Sequence, residues 1–115
     1  MSDETNEPKN PWEIDTTHPE QAKLIREALR QVNDPEIGLN VIELGLVRQV
    51  TIEDDGLQVT MILTTPFCPY APAMLEMTRS KAAEASGLET SIEMGMEMWS
   101  PSMMEDSATA SWGLF

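Results

Sequence analysis

Two β-rich runs, residues 46–52 and 57–64, separated by Asp54-Asp55-Gly56, restrict this chain more than any other feature. Val, Ile, Thr and Leu dominate both runs, and an Asp-Gly turn between them is a hairpin signal. In the second run Leu57, Val59, Met61 and Leu63 share one face and Gln58, Thr60 and Thr64 the other, with only Ile62 out of phase. Such a hairpin needs a layer over its apolar face.

Helical patterns on both sides of the hairpin supply that layer. Leu24, Ile25, Ala28, Leu29 and Val32 form one stripe of a 3.6-residue period, with a capping-box spacing at Thr17-His18-Pro19-Glu20, so a helix is expected over 19–32. Asn33-Asp34-Pro35 stops it, because a residue before proline is pushed out of the helical region. Residues 36–47 fit neither period and read as an irregular, partly buried loop. After the hairpin, Thr65-Pro66-Phe67-Cys68-Pro69-Tyr70-Ala71-Pro72 is a stiff loop leading into a second helix over 71–86, with Met74, Leu75, Thr78, Ala82 and Ala85 on one face and Gly87 as its stop. A last strand is expected where Ile92, Met94, Met96 and Met98 alternate with Glu93, Gly95 and Glu97, the first set facing the core. Trp99 and Pro101 then introduce a short turn or helix holding Met103 and Met104.

The order helix-strand-strand-helix-strand predicts a two-layer α+β domain, with both helices on one face of a small sheet and a short C-terminal turn or helix. At 115 residues the chain is long enough for one domain that buries about two-thirds of its unfolded surface. The expected organisation is an acidic, disordered leader over 1–18, a folded domain over 19–104 and a tail over 105–115. Trp12 and Ile14 are the apolar exceptions in the leader and are expected to tether it to the domain, the commoner outcome, or else to a partner.

Twenty acidic residues against seven basic give a formal net charge of -13. Phosphate binding needs clustered Lys and Arg, so nucleic acid and anionic membrane are excluded as primary partners. The ends carry most of the charge, -5 over 1–20 and -6 over 82–115, while 21–81 carries 8 acidic and 6 basic residues. No apolar run is long enough to cross a membrane and the N-terminus has no signal-peptide pattern, so a cytoplasmic protein is expected.

Chemistry concentrates at Cys68, the single cysteine. Alone, it excludes an intramolecular disulfide and any several-cysteine metal site within one chain. It lies between a strand and a helix N-terminus, where unpaired N–H groups and the helix dipole favour a thiolate. The only histidine, His18, lies in a polar stretch far along the chain, so a thiol enzyme is the weakest of three readings. Asp34, Glu36 and Glu43 lie in an otherwise apolar loop where each acid needs water, a cap or a ligand. The methionines read mainly as packing residues, and no nucleotide-binding fingerprint is present.

The run from Asp34-Pro35-Glu36-Ile37-Gly38 through Glu43-Leu44-Gly45-Leu46-Val47, then a hairpin, then Thr64-Thr65-Pro66-Phe67-Cys68-Pro69, then Trp99-x-Pro101, resembles the iron-sulfur cluster assembly domain family that includes the SufT and PaaD proteins. The resemblance spans about residues 20–104 and implies the α+β fold read above. It implies a non-catalytic factor in iron-sulfur maturation, an adaptor or transient carrier whose partners are assembly proteins and client apoproteins. It further implies a shared cluster of Asp34, Glu36, Thr64, Thr65 and Cys68, with Glu43 where the family more often has Asp. Cys68 would contact iron or a transient iron-sulfur cluster, shared with a partner or with a second subunit in a homodimer, since one cysteine cannot hold a cluster; otherwise no cofactor is implied. The PaaD side of the resemblance implies an alternative, an assembly helper or accessory subunit of a multicomponent metal oxygenase. Phe67, bulky where a small residue is usual, and the long acidic leader depart from the family pattern.

Overall fold

The alternating and helical periods become two layers. A computed structural model describes residues 11–35, 37–64 and 69–105. Helix α1 is one turn, Ile14–Thr17, and α2 spans Pro19–Leu29. Strands β1 (Val47–Glu53) and β2 (Gly56–Met61) form the hairpin, α3 covers Ala71–Ser86, β3 covers Glu89–Met94, and a 3-10 turn takes Pro101–Met103. The sheet has the order β1-β2-β3, with β1 antiparallel and β3 parallel to β2. The two-layer α+β fold expected from the pattern is the fold observed.

The hairpin turn is Asp54-Asp55, at φ 51° and 66°, while Gly56 already pairs with Glu53 as the first residue of β2. Positive φ at both central residues is the type I′ geometry whose twist matches the strands it joins. Pairing registers Leu57, Val59 and Met61 with Ile52, Val50 and Val47, so all six share one face. A register shift between Val47 and Gln49 achieves this, bringing Val47 inward although it is three positions from Val50. Helix α3 packs across β2 and β3 and against α2, and Ile25, Leu29, Met74 and Ala82 meet the sheet residues in one core. The opposite face is polar: the Gln58 amide donates to Glu93 (2.9 Å) and the Ser91 hydroxyl donates to Gln58 (2.6 Å).

Several expected boundaries move, each for a local reason. Helix α2 stops at Leu29 rather than 32, because Gln31 and Val32 bond to Ala28 and Leu29 and tighten the end into i→i+3 turns. The capping box at Thr17 does not form: Thr17 ends α1, and no side chain caps α2. Strand β2 ends at Met61 and β3 at Met94, where the Gly95 N–H donates to the Met61 carbonyl (2.8 Å). Met61 is core as expected, but Met94, Met96 and Met98 are 48%, 96% and 86% exposed. Alternation marks an apolar side of the chain, and from the last residue of β2 onward the other described residues leave that side largely uncovered.

Residues 11–18, assigned from sequence to the leader, hold a buried Trp12 and Ile14. The Trp12 indole N–H donates to the Val47 carbonyl (3.1 Å), and the Arg26 guanidinium lies 3.8 Å above the ring. Asp15 accepts two bonds from Arg26, at 2.8 and 3.1 Å. The expected tether thus forms within the chain. The remainder of the leader, 1–10, and of the tail, 106–115, lies outside the described residues. No helix among the described residues is long and apolar enough to cross a membrane.

Candidate functional site

The loop after α2 is closed by its own polar groups. Val41 and Asp34 donate backbone bonds to the Val32 and Leu39 carbonyls (both 2.9 Å), pinching off a short excursion at the Asn33–Asn40 bridge. Asp34, 2% exposed, accepts from the Ile37 N–H at 3.2 Å. That is the turn chemistry expected of Asp before proline.

Glu43 has a comparable local task. The Asn40 side chain accepts from the N–H groups of Ile42 (3.0 Å) and Glu43 (2.8 Å), while the Glu43 carboxylate accepts from the Asn40 N–H (2.9 Å). This reciprocal pair is a capping box around one helical turn. An Asn-x-x-Glu spacing was the sequence signal for it.

The C-terminal segment closes over this turn. The Trp99 indole N–H donates to the Leu44 carbonyl (2.7 Å), and the Glu105 N–H donates to the Glu43 carbonyl (2.9 Å). The Glu105 carboxylate holds Arg30 in a two-point pair, at 3.0 and 2.8 Å. This bond, against the cost of partial burial and aided by the charges of Glu105, Glu43 and Glu27, keeps Arg30 above its usual range. Trp99, recognised in the sequence only as part of a motif with Pro101, therefore joins Glu105 in a clamp on the 40–45 turn.

Thr64 lies where this clamp meets the end of β2. With Ile62, Leu63, Met98 and Trp99 it lines a mostly apolar groove of ≈ 340 Å³. Trp99 thus joins the Thr64 groove to the Glu43 turn, whereas Asp34 sits at the other end of the loop. Among the described residues no three of His, Cys, Asp and Glu converge as a metal site. Glu36, Thr65 and Cys68, and the bulky Phe67 beside the thiol, lie outside the described residues. What is described is their frame: the chain leaves at Thr64 and returns at Pro69, Tyr70 caps the 16-residue α3, and the Met74 N–H bonds the Tyr70 carbonyl (2.9 Å). His18 is exposed, its ring nitrogen Nδ1 2.8 Å from the Thr17 hydroxyl. The groove formed by Met94, Met98 and Trp99 was missed in the sequence because alternation placed these methionines in the core.

Residues 23–94 match the model of the family described as iron-sulfur cluster assembly protein. A Porphyromonas gingivalis protein named Fe-S protein maturation auxiliary factor is 40% identical over 88 residues, covering 74% of this chain and 84% of that one. The Fe-S protein maturation auxiliary factor SufT of Staphylococcus aureus is 34% identical, covering 65% of this chain and 84% of its own. Among solved structures, a domain of unknown function from Bacillus anthracis superposes with a TM-score of 0.76 over 86% of this chain and 97% of that one, at 23% identity, a likeness of fold. The chain therefore belongs to the iron-sulfur cluster assembly protein family.

Proposed function

We propose that this protein is a non-catalytic factor in the maturation of iron-sulfur proteins, acting between assembly proteins and client apoproteins through Cys68. The observation that carries the reading is the family match over residues 23–94, which spans the segment between β2 and α3, together with relatives named as maturation auxiliary factors. Physical chemistry supports the choice of residue. Cys68 stands three positions before Ala71, the first residue of α3, and the positive end of a 16-residue helix favours a thiolate there. A thiolate can hold iron or sulfide-bridged iron only in company, since clusters are held by about four thiolates. The cluster is therefore cargo, met together with a partner's ligands or those of a second copy, and the reading assigns Asp34, Glu36, Glu43, Thr64 and Thr65 to the same site as Cys68. The cytoplasm is the compartment this reading assigns.

The test is cluster transfer to an apo-aconitase from a reconstituted donor under anaerobic conditions, with wild-type protein, Cys68→Ser or no addition. Wild type is expected to speed activation severalfold and Cys68→Ser to match the blank. Equal acceleration by both would remove Cys68 from the mechanism, and acceleration by neither would remove the maturation role. Anaerobic reconstitution of the chain, followed by absorbance, separates carrier from adaptor: a chromophore lost in Cys68→Ser supports carriage.

A further inference from the structure

The described sheet ends on β3. With the order β1-β2-β3, one side of β3 pairs with β2 and its other side has no strand among the described residues. Edge strands are ordinarily protected by charged side chains, lysine above all, by proline or by a bulge, and the charges on β3 are the acids Glu89 and Glu93, which repel an acidic strand but admit a basic one. Residues 82–98 contain no lysine, arginine or proline, and the β2–β3 register runs unbroken from Gly56–Glu89 to Met61–Met94. At its C-terminal end the edge opens onto the groove at Thr64, Met98 and Trp99, beside Met94, Met96 and Met98, all substantially exposed. Clustered exposed apolar side chains mark interaction surfaces, and methionine suits surfaces that adapt to a partner.

We propose that the outer edge of β3 and this groove receive an extended segment of a partner protein with alternating apolar and basic side chains, added as a fourth strand. The alternation follows from the pleat. Thr90, Ile92 and Met94 share the core-side row, which runs on into the groove, so an added strand presents apolar side chains there. Glu89, Ser91 and Glu93 share the opposite row, which calls for Lys or Arg. Residues 82–115 carry six acids and no base, so the electrostatics point the same way. A second copy would set this acidic edge against itself, which like-charge pairing disfavours. The proposal deepens the maturation reading by giving the chemistry of the partner, and rests on that reading for the partner's role.

The experiment follows the methionine methyl signals and backbone amides of the full chain by NMR during titration with an acetylated peptide of alternating valine and lysine. Signals of Met94, Met96 and Met98 are expected to move while those of buried Met61, Met74 and Met104 stay, with amides of 89–95 exchanging at least tenfold more slowly. Methylating alternate peptide nitrogens removes the strand bonds but keeps the charge, and is expected to weaken binding at least tenfold. Met96→Glu with Met98→Glu, both at exposed positions, is expected to weaken it at least fivefold. Equal binding of the methylated peptide, or of one with glutamate for lysine, would overturn the proposal. So would concentration-dependent methyl shifts of the free protein with faster sedimentation, which mean a second copy on the edge. Shifts at the same methyls on Trp112→Ala or Phe115→Ala would overturn it too, by giving the groove to the chain's own C-terminal residues. Neither cluster nor client is present, so failure here leaves the transfer assay standing, and Cys68→Ser protein is expected to bind the peptide as wild type does.

Discussion

Gly45 stands at φ +74°, and a Cβ added to it would collide with the Met103 carbonyl oxygen. Gly38 is also left-handed, at φ +84°, yet a Cβ there meets nothing within 4 Å. The two glycines separate backbone conformation from close approach. Alanine at either pays about 1–2 kcal/mol for the left-handed conformation. At Gly45 it must also displace backbone of the C-terminal clamp, a cost of overpacking of about 1–3 kcal/mol. Gly45→Ala is therefore expected to lower stability in urea by about 2–5 kcal/mol, and Gly38→Ala by only about 1–2. Equal losses would mean that Met103 yields freely and that the clamp is soft. Both glycines were visible in the sequence as breaks in the periodicity, but the demand on Gly45 comes from a segment far along the chain, which no local pattern encodes. Glu43 shows the reverse: its partner Asn40 is local, and the spacing that joins them was present all along.

Among the elements, those set by their own residues were legible and those set by what covers them were not. Helix α3 was read at 71–86 because its apolar stripe, its early proline and Gly87 at φ 72° all lie within it. The Met94–Met98 run was misread because a strand pattern does not say where the neighbouring strand stops. Helix α1 is too short to have a period at all, and it exists through its contacts. The Trp12 N–H donates to Asp15 (2.6 Å), Asp15 pairs with Arg26, and Arg26 lies over the Trp12 ring. Partial burial alone would raise the pKa of Asp15, but the Arg26 bond, the Trp12 N–H and the Arg26 charge outweigh it and hold it below the ordinary 3.8. A carboxylate depressed on folding contributes stability that is present above its unfolded pKa and lost as the pH falls through the folded one. Asp15→Asn is thus expected to be less stable than wild type at pH 7 and to lose less stability between pH 5 and pH 2, measured by urea unfolding. Parallel acid limbs for the two proteins would mean that α1 docks through Trp12 and Ile14 alone.

On the scale of the whole molecule, the question is what a net charge of -13 does to a fold whose central segment is nearly neutral. The fold class was legible because most of the core comes from that segment, 21–81, to which Trp12, Ile14, Ala82 and Met104 are added from either side. Of the candidate site, Asp34 and Glu43 were singled out as acids that need water, a cap or a ligand, and each accepts from a backbone N–H of its own loop. Their carboxylates are held by backbone N–H groups, a pairing that requires the loop to be closed first. Four described ion pairs, Arg26–Asp15, Arg30–Glu105, Arg48–Glu97 and Arg79–Glu76, occupy four of the seven basic residues. With twenty acids to seven bases, repulsion among the acids acts alongside these pairs. Two of the pairs, Arg30–Glu105 and Arg48–Glu97, sit on the C-terminal segment and draw its charge toward basic residues elsewhere in the chain. Salt weakens such partly exposed pairs, each worth about 0–1 kcal/mol, but it also relieves the repulsion, because the screening length falls from about 30 Å at 0.01 M to about 8 Å at 0.15 M. Repulsion among many charges reaches farther than attraction within four pairs, so the larger relief wins. The urea midpoint at pH 7 is expected to rise between 10 mM and 150 mM sodium chloride. A fall would mean that the pairs fastening the C-terminal segment outweigh the repulsion of the acidic ends, and in that case Arg30→Gln would remove most of the salt dependence.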